Sequence, residues 1–148
     1  VLAISSNDKK LEKLRELGAS ITINYKNTPD WDQQILLETG NTGVDHVLEV
    51  VGERTMERSI HATAIQGNIS VVGDLSGALS QLGTSKRGIR LSEIVVGSRM
   101  MMEQLLRAIT LHSKKPVIDR IFPFVELRDA LSYLERGVHV GKVVIKFD

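Results

Sequence analysis

Cysteine is absent from the 148-residue sequence. That excludes disulfides and every thiolate metal site within it, and it fits a reducing, cytoplasmic compartment. No apolar run approaches the roughly 20 residues needed to span a bilayer. The residues present contain no basic-then-apolar leader pattern. An excess of charge is absent too. Nineteen basic side chains face 18 acidic ones, so there is no electrostatic case for nucleic acid or a membrane surface as partner. There is no internal repeat and no low-complexity tract. The four histidines, His46, His61, His112 and His139, show neither HxxxH nor HxxEH spacing. With no cysteine beside them, no metal site is expected within the segment. Gly73-Asp74-Leu75-Ser76-Gly77 places its serine one position late for a nucleophile elbow, and a long loop rather than a helix follows, which excludes that hydrolase reading.

What is present is 42% apolar and 25% charged, a composition that suffices for one domain with a real core. Strand and helix patterns alternate along it. Val1–Ile4 is an apolar run that reads as a buried strand, ended by Ser5 and Ser6. A helix opens at Asn7 or Asp8, carries Leu11, Leu14 and Leu17 on one face, and stops at Gly18. A β-branched strand, Ile21 to Tyr25, follows. Thr28-Pro29-Asp30 signals the start of a helix from Trp31 to Thr39. Val44–Val51 reads as a largely apolar strand closed by Gly52. Asp45 and Glu49, alternating along it, read as structural or exposed rather than as an acid/base pair. A helix is expected from Thr55 to Ala64 with Met56, Ile60 and Ala64 on one face. Gly67 then turns the chain into a strand from Ile69 to Val72, closed by Gly73.

Asp74 to Gly88 reads as a long polar loop rich in Ser and Gly. Ile94-Val95-Val96-Gly97 reads as a short buried strand, and Met100 to His112 as a helix with Met101, Leu105, Ala108 and Ile109 inward. After Pro116 the chain is expected to leave the sheet. Val117–Phe122 is extended, Val125 to Arg136 helical, and Gly141–Phe147 a last strand. Short apolar strands spaced by helices predict an α/β fold with a parallel sheet covered on both faces.

In a parallel sheet Ser5, Tyr25, Gly52, Gly73 and Gly97 share the carboxyl edge, where open α/β sheets hold ligands. An acidic residue at the end of such a strand accepts hydrogen bonds from an NAD ribose. Here Ser5 stands in that place. A serine does not repel a 2′-phosphate, and Lys10, one helical turn on, adds a charge-assisted contact. The reading is NADP(H) over NAD(H). The alternative is that Ser5 and Ser6 are only a turn and helix cap and Lys10 is one of several charges on a wet face.

The stretches SSNDKKLEKLRELGA with INYK, GVDHVLEVVG, GNISVVGDLSG, IVVGSR and KPVIDRIFPFVELRDALSYLERGVHVGKVVIKF occur in this order. Together they resemble the cofactor-binding half of the medium-chain dehydrogenase/reductase superfamily, in particular its quinone oxidoreductase and zinc-type alcohol dehydrogenase-like members. The resemblance implies a Rossmann-like doubly wound sheet lacking its first strand and glycine-rich turn, with a C-terminal helix-strand extension. Residues 1–124 would be a partial dinucleotide-binding domain. Residues 125–148 would return toward a catalytic domain that, with the first strand and any zinc ligands, lies upstream of Val1.

It also implies that Ser5, Ser6 and Lys10 lie at the adenosine 2′-phosphate, with Tyr25 close by. Val72, Gly73, Asp74 and Leu75 would border the nicotinamide, the backbone at Ile94 and Val95 would meet its carboxamide, and His139 would lie near the cofactor. Where many relatives carry Asn in the strand matching Val47–Val51, this chain has Glu49-Val50. No catalytic acid or base is expected among these residues. The implied activity is hydride transfer between NADPH and a small molecule (a quinone, enone, aldehyde or alcohol). A homodimer is implied through the strand at Ile94–Gly97. A second reading makes the chain a non-catalytic nucleotide-sensing or oligomerisation module built on the same adenosine pocket.

Overall fold

A computed structural model describes residues 1–73 and 87–147. The elements run β1 (Leu2–Ser5), α1 (Asp8–Glu16), β2 (Ile21–Asn24), α2 (Trp31–Glu38), β3 (Val44–Glu49), α3 (Glu53–Ala62), β4 (Thr63–Val71), β5 (Arg90–Glu93), α4 (Arg99–Leu111), β6 (Ile118–Pro123), a single 3-10 turn at Phe124–Glu126, α5 (Leu127–Glu135) and β7 (Lys142–Lys146). They fall into two compact units, Val1–Val96 and Gly97–Asp148. Most of the expected Asp74–Gly88 loop, with Asp74 and Leu75, lies outside the described residues. Among the described residues no helix is long and apolar enough to cross a membrane.

Among the described residues of the first unit every strand pairing is parallel, as the short apolar runs predict. β1 pairs with β2 from Leu2↔Ile21 to Ser5↔Asn24. A second sheet has the order β3-β4-β5. The helix between β1 and β2 is set by its ends. Asn7 is the cap, and its Oδ1 accepts from Lys9 N at 2.9 Å and Lys10 N at 3.3 Å. At the other end Gly18 takes φ +102°, a region that favours glycine. Leu11 is buried, whereas Leu17, at the end of the expected inward face, is half exposed.

Two apolar cores support the sheets. One joins Met56 of α3 to Ile69 and Val71 of β4 and to Ile89. The other gathers Ile23, Trp31, Ile35 and Ala62, with Leu2, Ile21 and Val44 packed against them. This second core reaches from β1 and β2 across α2 and α3 to β3. The two sheets therefore share a core although β1 and β3 belong to different sheets.

Two expectations in this unit are corrected. The helix expected to run to Ala64 ends at Ala62, and no separate turn precedes the next strand. Thr63 is already extended, and its Oγ1 donates to the Ser59 carbonyl at 2.6 Å, satisfying an end-of-helix acceptor. The apparent turn at Gly67 is a kink inside the nine-residue β4, where Gln66 has φ +61° and the register with β3 shifts. The second correction concerns Ile94-Val95-Val96-Gly97. The strand lies four residues earlier, at Arg90–Glu93, where it pairs with Asn68–Val71. Ile94 N makes one further bond to the Val71 carbonyl at 2.8 Å. β4 ends there, so the apolar residues that follow have no partner strand among the described residues of this sheet, and Ile94, Val95 and Val96 are exposed.

In the second unit β6 and β7 form a parallel pair. Phe122 and Ala130 are its buried centre. Tyr133 of α5 donates to Asp119 at 2.7 Å. The guanidinium of Arg136 lies 5.4 Å from the Tyr133 ring centre, and that of Arg120 lies 4.5 Å from the Phe122 ring centre. α4 opens on Ser98, whose Oγ accepts from Met101 N. The inward face expected for it is not observed. None of its residues is buried, and Met101, Leu105 and Ala108 are exposed. The apolar spacing sets a face on this helix but does not supply what would cover it.

Candidate functional site at the strand ends

β1 and β2 end side by side, because parallel pairing in register brings Ser5 opposite Asn24. The Ser5 carbonyl then accepts from Tyr25 N at 3.1 Å. Ser6 follows in the turn, and Asn7 caps α1. Capping is therefore performed by Asn7, which removes one of the two structural roles that Ser5 and Ser6 could have had. Ser5, Ser6 and Lys10 are half-buried around this turn, and Tyr25 is 46% exposed. Thus the structure brings together the four residues predicted for the adenosine end. It adds a pair that the sequence reading did not single out. Asn24 Nδ2 donates to Asp8 Oδ1 at 2.7 Å, tying the first turn of α1 to the end of β2.

The ends of β3 and β4 form a second edge, organised by Glu49. Its carboxylate is buried, with 4% of the residue exposed. Oε1 accepts from Val51 N (2.9 Å), Gly52 N (3.0 Å) and Thr55 Oγ1 (2.8 Å). Oε2 accepts from Ser59 Oγ. Burial alone would push this carboxyl up. The hydrogen bonds from Ser59, Gly52, Val51 and Thr55 outweigh that and hold it below the ordinary value of 4.5. The Glu49 backbone carbonyl accepts from Val72 N at 2.8 Å and Gly73 N at 3.0 Å. Val72 is half exposed and Gly73 half-buried, so both lie at the edge where they were expected.

Ile94 and Val95 follow β5 as exposed backbone. His139 belongs to the second unit, where its ring lies 6.4 Å from that of Tyr133. His46 and His61 have partners of their own. His46 Nε2 is 2.7 Å from Ser70 Oγ, and His61 Nδ1 is 2.6 Å from Asp32 Oδ2. Asp32 also holds Arg58, so this buried carboxylate fastens α2 to α3. Burial would raise its pKa, but the bonds from His61 and Arg58 outweigh burial and hold it below 3.8.

Glu49 is the residue that sequence reasoning undervalued. The signal was available. A glutamate closes an apolar strand just before a glycine, and hydroxyl residues follow at Thr55 and Ser59, one helical turn apart on α3.

The chain matches the zinc-binding dehydrogenase family model over residues 1–110. It is 39% identical, over its whole length, to a zinc-type alcohol dehydrogenase-like protein of Schizosaccharomyces pombe, 45% of which it covers. It is 29% identical to a 2-haloacrylate reductase of a Burkholderia species, aligning 98% of this chain with 47% of that protein. The crystal structure of an NAD-dependent alcohol dehydrogenase superposes on 99% of the chain with a TM-score of 0.82 and 29% identity, using 43% of its own length. The chain thus spans about half the length of the relatives it matches, and the α/β architecture with parallel sheets is the Rossmann-like one of these enzymes.

Proposed function

Because the chain belongs to the zinc-binding dehydrogenase family, within the medium-chain dehydrogenase/reductase superfamily, we propose that it is the NADP(H)-holding part of an oxidoreductase. Its substrate would be a quinone, enone, aldehyde or alcohol. The observation that carries this reading is the turn after β1. Ser5 and Ser6 stand where an NAD enzyme would want a carboxylate, Asn7 has taken over the cap, and Lys10 lies in the first turn of the helix. This turn offers hydroxyls, a cation and helix N-terminal amides to a 2′-phosphate. Asp8, the acidic residue in the same turn, is engaged by Asn24.

When bound, the dinucleotide supplies or accepts the hydride. The residues of this chain bind and orient it. Tyr25 would flank the adenosine. Val72 and Gly73, with Asp74 and Leu75, would border the nicotinamide, and Ile94 and Val95 would meet its carboxamide. Gly73 fits such a role because its turn comes up against backbone. A Cβ there would lie 2.6 Å from the Val50 carbonyl carbon.

Zinc requires three or four nitrogen, sulfur or oxygen ligands. Among the described residues no group of three or more such side chains is placed to hold a metal. The described residues do not fit a zinc centre, and a zinc in the whole enzyme would be held by a catalytic domain outside them. That domain is also what we expect residues 125–148 to pack against. β1 and β3 share a core but lie in different sheets, so one further parallel strand laid between them would join both. We assign that strand to upstream sequence. Among the described residues β5 is an outer strand of its sheet, and exposed Ile94, Val95 and Val96 continue from it. We assign this edge to pairing with a second copy.

The test is cofactor choice in the full-length enzyme. Ser5→Asp combined with Lys10→Ala is expected to weaken NADPH by at least about tenfold more than NADH, since a charge-assisted contact is lost and a repulsion gained. Equal loss for both cofactors would overturn the assignment of the 2′-phosphate.

A further inference from the structure

The turns after β3 and β4 are joined through one residue. Glu49 closes β3. Its carboxylate takes both amides of the turn that follows, Val51 N and Gly52 N, while its backbone carbonyl takes both amides of the neighbouring turn, Val72 N and Gly73 N. Two hydroxyls from α3, Thr55 and Ser59, complete the carboxylate's coordination. A carboxylate with this many donors costs little to bury and is rigid. Gly52, one of the donors, has φ +103°, a conformation that a side chain would disfavour. The two turns also touch backbone to backbone, since a Cβ on Gly73 would meet Val50 C, Val50 O and Val51 N at 2.6–2.8 Å.

What this arrangement presents outward is apolar. Val50 is 67% exposed, Val51 48% and Val72 52%. Three adjoining valines held in water on a fixed backbone are unfavourable unless something apolar covers them. A buried, fully satisfied anchor beneath an exposed apolar rim suits a surface made in advance for a flat ring.

We propose that Glu49 is the positioning residue for the nicotinamide end of the cofactor, locking the Val50–Gly52 and Val72–Gly73 turns into one apolar platform. The proposal rests on the reading that a dinucleotide lies along these strand ends. Glu49 itself stays beneath the platform and touches neither cofactor nor substrate. Its effect is on how well the platform is formed before the ring arrives.

This separates the two ends of the cofactor. The adenosine end is read by Ser5, Ser6 and Lys10, which the Glu49 network does not touch. The experiment therefore compares NADPH with 2′,5′-ADP, the adenosine fragment that lacks the nicotinamide, in the full-length enzyme. Glu49→Ala is expected to raise the Kd for NADPH by about tenfold or more, the scale of a lost network of charge-assisted bonds, and to leave the Kd for 2′,5′-ADP within about twofold. Glu49→Gln is expected to restore most of the NADPH affinity, because the amide oxygen still accepts from Val51 N and Gly52 N. Ser59→Ala removes a bond on the α3 side only. It is expected to raise the Kd for NADPH by less than Glu49→Ala does, because Val51 N and Gly52 N keep their acceptor.

If Glu49→Ala does not fold, Glu49→Asp keeps the charge but falls one methylene short of the turn amides, and the same split is expected. An unchanged NADPH affinity, or an equal loss for both ligands, overturns the role. Wild-type enzyme that binds neither ligand overturns the dinucleotide reading itself, and the role with it.

Discussion

Gly73→Ala is a sharp test of how closely the two strand-end turns approach. A β-carbon at this position would stand 2.6 Å from Val50 C, 2.7 Å from Val50 O and 2.8 Å from Val51 N. Ordinary contact begins at 3.4 Å, so the turns must part by about 0.8 Å, and every crowding atom is backbone that no rotamer change can move. Parting them stretches the bonds from Val72 N and Gly73 N to the Glu49 carbonyl, now 2.8 and 3.0 Å. The expected loss of stability is about 1–3 kcal/mol, the range for overpacking at a tight site.

Trp31 is the single tryptophan, and it is buried in the core shared by α2, α3 and β2. Its fluorescence in urea reports unfolding of the first unit directly. Gly67→Ala serves as control. It meets the Thr63 side chain at 2.6 Å and two carbonyl oxygens at 3.0 Å. It lies six residues earlier, inside β4 and away from the carboxyl edge. Both variants are expected to lose stability, but only Gly73→Ala to lose NADPH affinity as well. A stable Gly73→Ala would refute the close approach. A destabilised Gly73→Ala with wild-type affinity would refute the placement of the nicotinamide over these turns.

Asp32 and Glu49 both titrate below their ordinary values in the folded chain. Their contribution to stability is therefore complete above the unfolded values of 3.8 and 4.5 and is lost as pH falls through the lower folded ones. Urea midpoints taken from pH 6 downward should stay level until about pH 5 and then drop, and the drop should be shallower in Glu49→Gln; an unchanged slope there would contradict the carboxylate's role. Met56 is 1% exposed and packs on Ile69 and Val71. Met56→Ala should cost about 2–5 kcal/mol in the same denaturation assay, and a cost under about 1 kcal/mol would mean that α3 is not anchored there.

How much of this was legible in the sequence depended on the range of the forces involved. α1, β2 and α2 were readable within a residue or two, because caps and periodicity act over a single turn. Asn7, Gly18 and Asp30 mark their own boundaries. The ends of β1 and β2 followed from those boundaries, and so did the grouping of Ser5, Ser6, Lys10 and Tyr25. The misplaced strand shows the opposite case. Ile94-Val95-Val96 is β-branched and apolar, and by propensity it outranks Arg90-Leu91-Ser92-Glu93 as a strand. Pairing decided otherwise, because β4 ends at Val71 and Arg90–Glu93 meets Asn68–Val71 in register. Propensity is local, but register is a contract between two segments that the pattern of either one leaves unsigned.

Glu49 shows how the same distinction bears on function. Its neighbours in the network, Val51, Gly52, Thr55 and Ser59, all lie within ten residues, so half of its role is local and could be read from Glu, Gly, Thr and Ser at those spacings. The other half, the grip of its carbonyl on Val72 and Gly73, exists only once β3 and β4 have paired. A substitution that breaks the local half, such as Glu49→Ala, should loosen the Val51–Gly52 turn and so act on both stability and ligand. One that breaks the paired half, such as Gly73→Ala, should act on stability and ligand together. The proposed site is therefore less a set of ligand-touching side chains than a backbone shape. A glutamate that reads as an ordinary strand residue holds that shape, because the turn it closes and the turn it receives are the same surface.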